Sequence, residues 1–292
     1  MTTVMQAPPA TGDTAVVVPP SRSSARLDRI WRIGFGVIVA ALLLFLLAPL
    51  VVVILTAFND RLVAFPPQGW SLESFRNVPG YMFEALWLSV RVAALATVIA
   101  MLLAFPATIA LVRGEMRGKA ALLAFFQSPL QVPAIVQGLA LYQLYIALNP
   151  WGVALRGSFT GLLIGHVILV FPFILNAMLG RVAAIDTNLE LASYGLGAGF
   201  LRTTWLVTLP LMRPALIAAG FLAFLVSFDD TSISLFLTQV GGATLPLTLL
   251  YTSEQALSPM LYAMSAIVVV FSLVLALVVD RVFGLRTVMS RD

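Results

Sequence analysis

The stretch "LELASYGLGAGFLRTTWLVTLPLMRP", from Leu189 to Pro214, decides how the rest of the chain is interpreted. It contains three glycines, two prolines, one glutamate and two arginines, although the chain of 292 residues is 60% hydrophobic. It also lies between two long apolar segments. Clusters of glycine and proline between apolar segments are typical of loops that connect membrane spans. The role of this loop depends on the side of the membrane on which it lies.

The composition is that of an integral membrane protein. The mean hydropathy is +1.00 and only 10% of the residues are charged, whereas about a quarter are charged in a soluble domain. A membrane crossing needs about 20 apolar residues, so the chain has room for several crossings but not for a large soluble domain as well. The absence of cysteine excludes disulfides, thiolate metal sites and cysteine nucleophiles. The sequence therefore predicts an all-α membrane protein.

Six apolar segments are long enough to cross a bilayer. They cover residues 33–57, 92–112, 120–151, 158–180, about 206–228 and about 261–279. The third contains Pro129 and Pro133, which predicts a bent or re-entrant beginning, and the fifth must tolerate Pro210 and Pro214 in its first turns. A seventh crossing over residues 231–253 has the necessary length, but its glycine pair and Pro246 favour a loop with a partly inserted segment.

The predicted domain organisation follows from these segments. Residues 1–30 are rich in proline, threonine and alanine and predict a disordered N-terminal tail. Residues 31–285 form the membrane domain, with a connecting loop at about 182–213, and residues 286–292 form a C-terminal tail.

The basic residues predict the orientation of the chain. Six spans leave both termini on one side, and that side would hold 13 of the 17 lysines and arginines. The opposite side would hold Arg61, Arg76 and Arg156, while Arg91 lies at the beginning of the second span. Because short cytoplasmic loops are enriched in basic residues, both termini and the stretch from Leu189 to Pro214 are predicted to be cytoplasmic.

The small residues of the cytoplasmic stretch predict a docking element. Asp186, Thr187 and Asn188 can cap a short helix that is followed by alanines and glycines, and such residues allow another surface to approach the backbone closely. An ordinary loop in which the glycines only break helices is the alternative.

The order of these elements resembles a known family. Leu196-Gly197-Ala198, then Leu209-Pro210 and Pro214, is similar to the cytoplasmic EAA loop of the membrane subunits of bacterial ABC importers. The segments "SFDDTSISLFLT" and "GGATLPLTLLY" resemble spermidine/putrescine-type permease subunits, within the binding-protein-dependent permease family. The similarity extends from about residue 75 to about residue 283.

The resemblance implies a type I ABC importer permease fold of about six transmembrane helices in the bacterial inner membrane. It implies three kinds of protein partner: a cytoplasmic ABC ATPase dimer, a second permease subunit that is a paralogue or the same chain, and an extracytoplasmic solute-binding protein. ATP and Mg would be bound by the ATPase, since the chain has no G-x-x-x-x-G-K-[ST] motif. We therefore expect a transport subunit that is not an enzyme, with no cofactor of its own and no nucleic-acid partner.

The resemblance also implies a coupling helix near residues 190–200 that binds the ATPase. The predicted docking residues are Glu190, Leu191, Ala192, Gly197, Ala198 and Phe200. The family loop commonly reads Glu-Ala-Ala before its L-G-A, whereas here those positions hold Leu191, Ala192 and Ser193. Packing by small residues is therefore expected to contribute more to docking than the charge of Glu190.

A second set of residues is a candidate for the substrate pathway. Asp229 lies about 15 helical residues after Pro214, a rise of about 22 Å, so Asp229 and Asp230 are expected near the outer end of the fifth span. Ionisable groups at membrane depth often have functional roles, and this pair would favour a cationic solute. The alternative is a pair that caps a helix end at the interface. Further pathway candidates are Ser227, Tyr142, Gln137 and Asn176, for which interhelical hydrogen bonds are the alternative.

Two functions of different classes remain open at this point. The first is the pathway subunit of an ATP-driven importer for a small polyamine-like or other amine-containing solute. The second is a stand-alone secondary transporter or channel that uses Asp229 and Asp230 to couple ions. The cytoplasmic docking element distinguishes them, because a self-sufficient transporter does not need one.

Overall fold

The computed structural model describes residues 22–59, 65–238 and 242–283, and this part of the chain is built from helices. Within these described residues, five helical segments are long and apolar enough to cross a membrane, and a sixth crossing is formed if one bent helix pair is counted as a span. The five are Trp31–Thr56, Gly80–Arg113, Phe159–Ala183, Phe200–Phe228 and Pro259–Arg281. The pair is Lys119–Gln131 with Ala134–Trp151. The prediction of about six spans in an all-α protein is confirmed.

Helix α1 (Arg22–Thr56) begins before the predicted domain boundary at residue 31. Residues 22–30 are therefore helical, whereas the sequence predicted a disordered tail there. The rest of that tail, residues 1–21, and the predicted C-terminal tail lie outside the described residues. The side chains from Trp31 to Val51 are exposed, and those beyond Arg32 are uncharged, as expected of a helix surrounded by lipid.

Three helices, α3 (Gly80–Arg113), α6 (Phe159–Ala183) and α9 (Leu209–Phe228), form the central core. Small residues of α3 are completely buried against larger side chains of α6 and α9; they are Ala96, Ala100 and Ala104. Small residues allow helix backbones to approach closely in a membrane, where no hydrophobic driving force brings helices together. On α9, a Cβ added at Gly220 would lie 3.0 Å from the sulfur of Met101, so the helices touch there.

Two proline-containing segments behave as the sequence predicted. Helices α4 (Lys119–Gln131) and α5 (Ala134–Leu148) meet at an angle of 105° at Pro133. In the fifth span, by contrast, the chain continues from α8 (Phe200–Thr203) through a π-helical turn, residues 204–208, into α9. In that turn the N–H of Leu209 bonds to the carbonyl of Thr204, five residues back, so the helix continues across Pro210.

The segment between the fifth and sixth spans contains two short helices, α10 (Ser232–Leu237) and α11 (Leu245–Gln255). Six and 11 residues are too few to cross a bilayer, so no seventh span forms in the described part of this segment. Helix α10 packs closely on its neighbours: a Cβ at Gly165 of α6 would lie 2.9 Å from Ile233 Cγ2. Helix α11 is held to α3 because Leu245 N donates to Ser89 Oγ at 2.8 Å. The last span is α12 (Pro259–Phe283).

Candidate functional site

The stretch from Leu189 to Pro214 begins within a short helix with defined ends, α7 (Thr187–Gly195). At its beginning the carboxylate of Asp186 accepts from Asn188 N at 2.9 Å. At its end Ala198 N donates to Ser193 O at 3.1 Å and Gly197 N donates to Tyr194 O at 2.9 Å, which is the Schellman pattern. Gly197 has φ +83°, a conformation that glycine adopts without the steric cost that other residues meet. Gly197 is therefore required for the turn that ends α7.

One side of this helix and turn is apolar and exposed. Among the predicted docking residues, Leu191, Ala192, Gly197 and Phe200 are exposed, while Ala198 is half-buried. Leu196, between the helix and the turn, is 90% exposed. We call the exposed residues Leu191, Ala192, Leu196, Gly197 and Phe200 the coupling surface. Contiguous exposed apolar residues outside the lipid mark sites of protein interaction.

Glu190 lies on the other side of α7 and faces the protein interior. Its Oε2 forms an ion pair with Arg113 Nε at 3.0 Å, and its Oε1 accepts from Thr208 Oγ1 at 3.0 Å. Arg113 also donates from Nη2 to Ile185 O at 3.1 Å. Both carboxylate oxygens are thus bound within the chain, and they join α7 to the end of α3 and to the π-helical turn. Glu190 differs in this respect from the exposed residues with which the sequence grouped it.

The opposite end of α9 carries a buried polar cluster around Asp230. The Oδ2 atom of Asp230 accepts from Ile233 N and Ser234 N, both at 3.1 Å. His166 of α6 lies 2.8 Å from Ser227 Oγ through Nδ1 and 3.2 Å from Ser234 Oγ through Nε2. Its Nε2 is also 3.9 Å from Asp230 Oδ2. Asp230 therefore satisfies the first turn of α10, and the cluster ties together α6, α9 and α10.

Asp229 points in another direction from Asp230. Its side chain is exposed, and its carboxylate has no hydrogen-bond or ion-pair partner among the described residues. The two acids that are adjacent in the sequence are thus in different environments, and of the two only Asp229 has an unpaired carboxylate among the described residues.

The other predicted pathway residues are each engaged with a different neighbour. Ser227 is buried and bonded to His166, and Asn176 Oδ1 accepts from Gln127 Nε2 at 2.6 Å. Tyr142 lies beneath the guanidinium of Arg156, 5.4 Å from its ring centre. The structure therefore brings Ser227 and Asp230 together but does not gather the whole set into one site.

Gln137 supplies hydrogen-bond donors at the bend between α4 and α5. In a continuous helix the carbonyl of Pro129 would accept from the N–H of residue 133, but that residue is a proline and has none. Gln137 Nε2 donates to Pro129 O at 2.7 Å and to Val132 O at 2.8 Å instead. Gln137 thus stabilises the bend by replacing the missing backbone donor.

Four side chains of these clusters were not among the residues predicted from the sequence: Arg113, Thr208, His166 and Ser234. Arg113 served only as an indicator of topology, and Ser234 was one of several hydroxyl residues after Asp230. No sequence pattern pairs Arg113 with Glu190, because the two lie on elements that meet only in the folded chain.

Comparisons with known proteins agree with this architecture. Residues 109–285, more than half of the chain, match the family model described as "Binding-protein-dependent transport system inner membrane component". The Putrescine transport system permease protein PotI of Escherichia coli K12 is 30% identical over 82% of this chain and 85% of its own. The Spermidine/putrescine transport system permease protein PotC of Haemophilus influenzae is 27% identical over 79% of this chain and 89% of its own.

A solved structure gives the same fold. A chain of a bacterial ABC transporter that imports the acidic polysaccharide alginate superimposes with a TM-score of 0.72 at 18% identity, covering 90% of this chain and 98% of that one. Together with the six spans, these matches decide between the two functions that the sequence left open. The chain belongs to the family of binding-protein-dependent transport system inner membrane components and is the multi-pass permease component of an ABC importer in the inner membrane.

Proposed function

We propose that this chain forms part of the pathway of an ATP-driven importer for a small amine-containing cation, and that it binds a cytoplasmic ATPase through the coupling surface. The relatives named for putrescine and spermidine support the class of solute. An extracytoplasmic binding protein would deliver the solute, and a second permease subunit would complete the pathway. ATP and Mg would be bound by the ATPase subunits.

The observation that carries the docking proposal is the contrast between the two sides of α7. Its exposed side presents Leu191 and, just beyond the helix end, Leu196, whereas its inner side is fastened through Glu190 to Arg113 and Thr208. A helix held in this way can transmit a displacement as a rigid body, because its buried carboxylate is bonded to two other elements. The excess of basic residues on the same side supports a cytoplasmic position for it.

Asp229 supports a cationic solute. Its carboxylate is unpaired among the described residues at the end of a spanning helix, and an unpaired ionised group near the membrane favours a counter-ion. An ammonium group would supply that counter-ion together with up to three N–H donors. Asp230 contributes to the shape of the site instead, since its carboxylate is used by α10.

The docking proposal is tested with the importer assembled from its subunits in proteoliposomes. We expect Leu196→Glu and Phe200→Glu to abolish co-purification of the ATPase and ATP-dependent uptake, because each inserts a charge into an apolar contact. The matched control is Leu257→Glu, which makes the same change at an exposed leucine between α11 and α12. Normal ATP-dependent uptake by both variants would contradict the docking role, and uptake by the purified chain without ATP would contradict the importer.

A further inference from the structure

A cavity of 530 Å³ lies between the first turns of α3 and helix α11. Helix α3 has 34 residues, a length of about 51 Å, and its last residue, Arg113, contacts Glu190. The cavity therefore opens at the face of the membrane opposite the coupling surface. Its position is well defined, because the hydrogen bond from Leu245 N to Ser89 Oγ holds the beginning of α11 against α3.

Two helical faces with the same spacing form the walls. Tyr81, Glu84, Ala85 and Leu88 of α3 line one side at positions i, i+3, i+4 and i+7. Thr248, Tyr251, Thr252 and Gln255 of α11 line the other side at the same intervals. This spacing identifies one face of each helix, and core-facing helices normally carry apolar residues there. Here the α11 face is polar and aromatic, and the α3 face carries Tyr81 and Glu84 beside Ala85 and Leu88. The space between the two faces is open.

Glu84 and two threonines present hydrogen-bond acceptors to the cavity. Glu84 is exposed and has no hydrogen-bond or ion-pair partner among the described residues. Thr248 Oγ1 donates its proton to Thr244 O at 2.9 Å, and Thr252 Oγ1 donates to Thr248 O at 2.8 Å. Since each of these two threonine hydroxyls uses its single donor within its own helix, each offers only oxygen lone pairs to a ligand. The lining contains no lysine or arginine that could neutralise Glu84.

The two tyrosines and the apolar residues complete a site for an organic cation. The rings of Tyr81 and Tyr251 are about half exposed, and an aromatic face attracts an ammonium group within about 6 Å. Ala85 and Leu88 offer apolar surface for the methylene groups of such a ligand. Tyrosines alone could be explained as anchors at the membrane interface, but this does not explain a facing stripe of threonines and an unpaired carboxylate.

We propose that this cavity binds a primary-amine cation, with Glu84 as its counter-ion and Tyr81 and Tyr251 against its charged end. That the cation is the cargo at the entrance of the pathway rests on the proposed function. The headgroup of phosphatidylethanolamine carries the same chemistry, so the experiment has to distinguish a free amine from a lipid.

The test is a calorimetric titration of the full chain in dodecyl maltoside with putrescine, and with 1,4-butanediol as a neutral ligand of the same length. We expect putrescine but not butanediol to bind. Glu84→Gln should weaken binding by about tenfold or more, because a hydrogen bond to a charged group contributes more than a neutral one. Tyr251→Leu should also weaken it, and Tyr251→Phe should weaken it less, because the ring is retained.

The matched control is Glu254→Gln, which removes the same charge from an exposed residue of α11 that does not line the cavity. Any of three results would overturn the proposal. Glu84→Gln could bind putrescine as tightly as wild type, the two glutamine variants could have equal effects, or butanediol could bind as well as putrescine. Because Glu84 is exposed, its substitution is expected to leave the fold intact, and Tyr251→Leu provides a second reading if it does not.

Two further measurements separate the possible sources of the amine and the two proposals. A putrescine affinity that falls as phosphatidylethanolamine is added to the micelles assigns the site to a lipid headgroup and overturns its role as a cargo site. Uptake by cells tests the proposed function independently. If cells take up no amine although binding depends on Glu84, the proposed cargo is refuted but the site is not. If cells take up the amine although binding does not depend on Glu84, only the site is refuted.

Discussion

The two ends of helix α9 each have a buried carboxylate beside them, and the two carboxylates are stabilised differently. Before the helix, Glu190 is bound by the guanidinium of Arg113 and the hydroxyl of Thr208. After the helix, Asp230 is bound mainly by backbone N–H groups of α10. One end therefore uses a full counter-charge from a distant helix, and the other uses the polar groups of the adjacent segment.

This difference has a physical consequence for substitution. A guanidinium that has lost its carboxylate partner remains charged in a partly buried position, and this unpaired charge lowers the stability of the folded state. Backbone N–H groups are neutral and can be satisfied by any acceptor of the right length. The end beside Glu190 should therefore be sensitive to loss of charge, and the end beside Asp230 should be sensitive to loss of an acceptor. Substitutions at Arg113 and at Asp230 test this contrast directly, and substitutions at Gly197 and Asp229 beside the same two ends are expected to have smaller effects on stability.

Breaking the ion pair should have the largest effect on stability. Arg113→Leu is expected to lower the free energy of unfolding by about 2 to 3 kcal/mol, because it leaves Glu190 without a counter-charge. The double variant Arg113→Leu/Glu190→Leu should lose less than the sum of the two single variants. Unfolding by SDS in mixed micelles measures both. Arg117→Leu, at an exposed arginine of the same connection, is the control, and an equal loss there would refute a specific role for the pair.

Removing the acceptor at the other end should have a smaller effect. Asp230→Ala is expected to lower the free energy of unfolding by about 1 to 2 kcal/mol, because it leaves the first turn of α10 without its acceptor. Asp230→Asn keeps an acceptor and should lose less than half of that. The same unfolding assay applies. If Asp230→Asn were as destabilising as Asp230→Ala, the charge itself would matter, and the contrast between the two ends would disappear.

The turn that ends α7 provides a third test. Gly197→Ala should lower the free energy of unfolding by about 1 kcal/mol, because alanine is strained at φ +83° although a Cβ there meets no atom within 4 Å. Gly195→Ala, two residues earlier and helical, also meets nothing and should be neutral or stabilising. Equal effects of the two substitutions would indicate that the Schellman turn is not formed.

Asp229→Asn should have the smallest effect on stability, less than about 0.5 kcal/mol, because the side chain is exposed and unpaired. Its effect on transport should be larger: we expect the KM for putrescine uptake by the assembled importer to rise by about tenfold, since a charged partner is lost. Asp230→Asn serves as the comparison and should alter KM little. An unchanged KM in Asp229→Asn would remove this carboxylate from the pathway.

Much of the fold could be predicted because it depends on properties that are local in the sequence. The six spans follow from segment length, and the bend at Pro133 follows from the backbone N–H that proline lacks. In the described residues between the fifth and sixth spans no seventh span forms, which agrees with the glycine pair and Pro246.

The parts that could not be predicted depend on partners far apart in the chain. Glu190 is next to exposed residues in the sequence, and only the packing of α3 beside α7 turns it toward Arg113. His166 bonds to Ser227 and Ser234 because α6 meets both α9 and α10 at one level. The residues of α3 and of α11 that line the cavity form no recognisable binding motif in either helix taken separately. The sequence by itself determined which segments cross the membrane and where they turn, because hydrophobicity and turn chemistry are local properties. Only the tertiary structure decided which charges are paired and which remain free, because pairing depends on contacts between distant helices.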